Sequence, residues 1–107
     1  MSHIDSRRVI CFRSRGSSSR ARARIWSFPR VWQQALKLPA YYIIEVIDKH
    51  FDKLSKKDKD RVLIHELLHI PKNFSGSLVP HRGRNHRIDS RKVEELFKIY
   101  DNDSSRR

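Results

Sequence analysis

A chain of 107 residues is long enough for one domain and too short for two. It is 37% hydrophobic and 34% charged, with a formal net charge of +12, a balance that supports a small core under a heavily charged surface. Cys11 is the only cysteine, which excludes an intrachain disulfide and a cysteine-based zinc knuckle. No run approaches the roughly eighteen apolar residues of a membrane span, and Val9–Phe12 is too short for a secretory core, so the sequence reads as soluble and cytoplasmic.

The charge is unevenly placed. Residues 1–30 hold eight Arg and one Asp, a net +7, whereas residues 31–107 hold a net +5. The segment SRGSSSRARAR at residues 14–24 has little to bury against its ordering entropy. Residues 1–24 therefore read as a basic, weakly ordered arm, residues 25–101 as the folded domain, and residues 102–107 as a polar tail. A basic arm attracts polyanions at long range, DNA or RNA above all.

Ordered structure is expected from Ile25. Pro29 suits a first helical turn, Val31, Trp32, Ala35 and Leu36 follow at helical spacing, and Pro39 ends the segment. Tyr41–Ile47 is β-branched and aromatic, apolar on both faces apart from Glu45, and reads as a central or covered strand. Glu45 itself is expected to face outward at the surface. Ser55 and Asp58 resemble a capping box, and Pro71 disfavours helix at Ile70, so a helix is expected over about residues 56–70. A Gly- and Pro-punctuated loop follows over residues 72–87. A last helix starts near Asp89, with Ile88 and Val93 as a hydrophobic staple and Val93, Leu96, Phe97 and Tyr100 as its apolar stripe.

The segment HELLH at residues 65–69 carries the chemistry. His65 and His69 are four apart, so on a helix their imidazoles stand on one face and can share a zinc ion at about 2.0–2.1 Å each. Glu66 lies about 100° around the helix from His65 and can reach an attacking water as general base without binding the metal. Val62, Leu63, Ile64, Leu67, Leu68 and Ile70 make the helix apolar on most sides. Burying two imidazoles and a carboxylate there without partners would cost on the order of 2 kcal/mol per group.

A catalytic zinc site takes three protein ligands and an open position. His81 and His86 both lie in the loop after the helix, and no acidic residue lies between His69 and Asp89 to serve instead. His50 reads as a surface residue and His3 as part of the loose arm. Tyr42, Arg84, His86 and Tyr100 are unranked candidates for stabilising a tetrahedral oxyanion. Arg82, Arg84, Arg87, Arg91 and Lys92 form a candidate phosphate-contacting patch. They belong to a competing reading, a nucleic-acid-binding protein with a structural metal, which would have no use for a carboxylate beside the first His.

The stretches RIWSFPRVWQQAL, YYIIEVI, FDKLSKKDKDRVLIHELLHIP, FSGSLVPH and IDSRKVEELFKIY, spanning Ile25–Tyr100, resemble the phage and archaeal metallopeptidases, a minimal SprT-like branch of the zincins. The resemblance implies an α+β zincin-like domain, with a small β-sheet packed on an active-site helix and a C-terminal helix. It also implies a zinc peptidase acting on polypeptides, with His65 and His69 as ligands and Glu66 as the base. By motif position His81, twelve residues after His69, is the implied third ligand, with His86 as the alternative because the RGRNH insert brings it closer to the last helix. Related SprT-like proteins cut proteins bound to DNA, an analogy that the basic surface invites.

Overall fold

In the computed structural model, which describes residues 3–80 and 90–105 (backbone alone over 102–105), three strands form one mixed sheet. β1 (Val9–Ser14) lies parallel to β3 (Tyr42–Ile47), and β2 (Ala23–Ser27) lies antiparallel to it, in the order β1-β3-β2. The central strand is the one whose residues are most apolar, as a strand with two neighbours and a covered face requires. The helices are α1 (Arg30–Leu36), α2 (Asp48–Phe51), α3 (Lys56–Leu67) and α4 (Ser90–Ser105). The architecture is α+β. Among the described residues no helix is long and apolar enough to cross a membrane.

Side-chain alternation sends Ile44 and Val46 of β3 to one face of the sheet, where they meet Ala23, Phe51 and the Val62, Leu63 and Leu67 side chains of α3. On the other side of α3, Ile64 packs with Val93 and Phe97 of α4. α3 is thus held between the sheet and α4. Arg61 reinforces the second contact: its guanidinium lies 4.1 Å from the Phe97 ring centroid and donates to both Glu94 oxygens at 2.9 and 3.2 Å.

Several expectations are corrected. Part of the segment read as a loose arm is regular structure, over Ser6–Ser14, whereas residues 15–22 lie in no helix or strand. The Asp5 carboxylate accepts from the backbone N–H of Arg7, capping a single 3-10 turn at Ser6–Arg8, and β1 then takes the edge position beside β3. Ile4 packs beside Ala40, Tyr42, Ile70 and Phe74, and the Arg8 guanidinium lies 4.8 Å over the Phe74 ring. Backbone pairing to an apolar central strand supplies the order that composition does not. The boundary at Ile25 also falls inside β2. α3 ends at Leu67 rather than Ile70 because the following N–H groups tighten to carbonyls three residues back, His69 to Glu66 and Ile70 to Leu67, before Pro71. The α4 stripe ends at Phe97: Tyr100 is exposed. The Ile88 half of the staple lies outside the described residues.

Glu45 is the largest departure. It points away from α3, as expected, yet is only 5% exposed. Its carboxylate accepts from the Arg24 guanidinium and from the Trp26 indole N–H at 2.9 Å, both from β2. Those donors hold it down at about 2 against an ordinary 4.5.

Candidate active site

Ser55 starts α3 by accepting the Asp58 backbone N–H at 3.1 Å, the cap that the sequence signals. From that start, Asp58, Arg61, Val62, His65 and Glu66 share one side of the helix and line a cleft of about 510 Å³. Arg22 and Ala23, at the start of β2, and Ser90, Val93 and Glu94 of α4 complete its walls. Asp60, Leu63, Ile64 and Leu67 lie on the opposite side and border a second groove with Leu96, Ile99 and Tyr100.

The His65 and His69 rings stand with centroids 5.3 Å apart and planes at 71°. His65 is half-buried, and Glu66 and His69 are buried. The second imidazole is oriented from behind. His69 Nδ1 donates to the Val79 carbonyl, while the Val79 N–H donates back to the His69 carbonyl at 2.7 Å. A proton held on Nδ1 leaves the lone pair on Nε2, the arrangement that metal-ligating imidazoles use. Burial raises the Glu66 carboxyl from 4.5 to about 7, in the range where a carboxylate can both take up and return a proton. Two imidazoles with one oriented lone pair and an adjacent carboxylate suit a tetrahedral metal, provided that a further donor comes from elsewhere.

That further donor is not found within the described residues, where no group of three or more His, Cys, Asp or Glu is arranged to hold a metal. His81 and His86 lie outside them, as do Arg82, Arg84 and Arg87 of the basic patch. Arg91 and Lys92, at the start of α4, are exposed. His50 is half-buried, with Nε2 3.1 Å from the Ser19 carbonyl. His3 lies near the end of the motif helix, Nε2 3.1 Å from the Ile70 carbonyl. Two oxyanion candidates are displaced from the cleft. Tyr42 is fully buried with its hydroxyl engaged by Gly76 and Ser77, and Tyr100 borders the other groove.

The sequence reading missed the cleft's four other charged residues: Arg22, Asp58, Arg61 and Glu94. Asp58 and Arg61 were detectable, since positions seven and four before His65 fall on its helical face. Arg22 and Glu94 reach the cleft only through strand pairing and helix packing.

One family model, described as "Putative phage metallopeptidase", matches residues 1–102. Comparisons with curated proteins and with solved structures gave no match. The match begins at the N-terminal segment that β1 ties into the sheet, and it includes the HELLH segment and most of α4. This chain belongs to the phage metallopeptidase family.

Proposed function

We propose that the chain is a zinc-dependent peptidase in which His65 and His69 hold the ion, His81 completes the ligand set, and Glu66 is the general base. The observation that carries the reading is the His65–His69 pair, its rings 5.3 Å apart, with a buried carboxylate at the intervening position and the second ring oriented by a backbone carbonyl. His81 is favoured by reach. Val79 is tied to His69 by two hydrogen bonds, and two further residues span at most about 7 Å. His86, seven residues beyond Val79, remains the alternative ligand.

Bound there, zinc would act as a Lewis acid on the substrate carbonyl and on the attacking water. Glu66 would take the proton from that water and pass it to the leaving amine. The Val79 carbonyl would keep His69 in the ligating tautomer. An extended substrate would run beside the β2 edge, since Arg22 and Ala23 form the cleft wall facing His65 and Glu66. The basic surface is proposed as a second contact, for DNA or RNA or for proteins bound to them.

The test is metal content and turnover together. Protein purified without added metal should hold about one zinc per chain. Glu66→Gln should retain it while hydrolysis of a denatured protein substrate falls on the order of a hundredfold or more. A His65→Ala, His69→Ala protein that keeps its zinc, or a Glu66→Gln protein with wild-type turnover, would contradict the assignment.

A further inference from the structure

The segment Phe74-Ser75-Gly76-Ser77 has no helix or strand of its own, so its backbone groups need partners from elsewhere. Three of these groups find them on two other elements, β3 and α1, and the Phe74 N–H finds one on the Pro71 carbonyl. The Tyr42 hydroxyl of β3 accepts the Gly76 N–H at 2.9 Å and donates to the Ser77 carbonyl at 2.8 Å. The Gln33 amide of α1 donates to the Ser75 carbonyl at 3.3 Å and to the Phe28 carbonyl at 2.8 Å. Two residues after Ser77, Val79 closes on His69.

Tyr42 is fully buried, its ring edge-to-face with Phe74 at 5.0 Å. A phenylalanine would fill that space equally well, so packing alone does not explain a buried hydroxyl, which is costly unless it is hydrogen-bonded. Gly76 is constrained from two sides. Its φ is +99°, and a Cβ there would stand 2.3 Å from Gln33 Nε2 and 3.0 Å from the Phe28 carbonyl oxygen. The positive φ favours glycine here, and a larger residue would also have to displace the Gln33 amide and press on the Phe28 carbonyl.

We infer that the Tyr42 hydroxyl is a positioning group for the metal site, latching the 74–79 strap to the sheet so that the Val79 carbonyl orients His69. The inference rests on the zinc reading above. Tyr42 packs with Ala40, Ile70 and Phe74 and is not among the cleft-lining residues; it acts through Gly76, Ser77 and Val79. The strap leads directly to Pro80 and His81, so the same latch sets where the chain leaves for the third ligand.

The experiment compares Tyr42→Phe with wild type by zinc titration against a competing chelator and by amide exchange of the metal-free proteins. Expected are about tenfold weaker zinc binding, as for loss of a group that orients a ligand, and faster exchange of the Gly76 and Val79 amides while the β3 amides stay protected. Val46→Ala, in the core away from the strap, controls for general destabilisation and should keep the wild-type zinc affinity. Should Tyr42→Phe fail to fold, Gln33→Ala removes the Ser75 tether at the surface and should weaken zinc binding in the same direction by a smaller factor. Wild-type affinity and unchanged exchange in the Tyr42 variant would overturn the latch while leaving the zinc site standing. A wild-type protein that binds no zinc would overturn both.

Discussion

Replacing Glu45 by Gln tests the polar knot beneath the exposed face of the sheet. The wild-type carboxylate sits at about 2 rather than 4.5, held there by Arg24, Trp26 and, more weakly, Ser14. That lowering corresponds to roughly 3 kcal/mol in favour of the folded, ionised form. The Arg24 side chain is 42% exposed, however, so solvent screens its share, and about 2 kcal/mol is the expected loss at neutral pH. For a domain of this size that is a fall in Tm of about 8–10 °C. The pH dependence separates this account from a packing effect. A carboxyl whose folded pKa is depressed stabilises the fold above its unfolded pKa and loses that contribution as pH falls through its folded value. The gap between wild type and Glu45→Gln should therefore be flat above about pH 5 and close as pH falls from 4.5 towards 2. Urea unfolding at several pH values measures it. A gap of equal size at pH 3 and pH 7 would show that the ion pair contributes nothing and that shape alone matters.

Three further outcomes are expected. His81→Ala should lose zinc and have a lower melting temperature, whereas His86→Ala should do neither to the same extent; the reverse pattern moves the third ligand to His86. Phe97→Ala, which removes a buried ring from between Ile64 and Arg61, should cost about 3–5 kcal/mol in urea unfolding, and a loss under 1 kcal/mol would mean that α4 does not support α3 as described. Substituting the exposed Arg15, Arg20 and Arg30 by Ala should weaken binding to duplex DNA and reduce the slope of log affinity against log salt by up to about 3, while an unchanged slope would make this basic surface a solubility feature. Point substitutions are the appropriate probe, because deleting residues 1–24 would remove β1 from the sheet.

The elements whose signals are local were legible in the sequence. The Ser55 cap, the apolar run of β3 and the i, i+4 spacing of His65 and His69 each act within a few residues, where propensity and periodicity operate. The end of α3 was less legible, because the switch to tighter hydrogen bonds over His69 and Ile70 depends on how the chain leaves the helix. β1 was illegible for a different reason. Its residues, VICFRS, bury little by themselves and become a strand by pairing with β3 across more than thirty residues of sequence.

The amino-acid sequence by itself determined the helix at whose end HELLH stands and the closeness of His65 and His69, because a spacing of four residues through one helical turn is enough to bring those rings together. Tertiary structure decided what surrounds them. Arg22, just before β2, and Glu94 of α4 join the cleft, Glu45 is buried by two donors from a neighbouring strand, and Val79 returns to orient His69 through a strap latched by Tyr42. Each of these contacts joins groups from different elements, and no local pattern encodes such a meeting; it exists only once strands pair and helices pack.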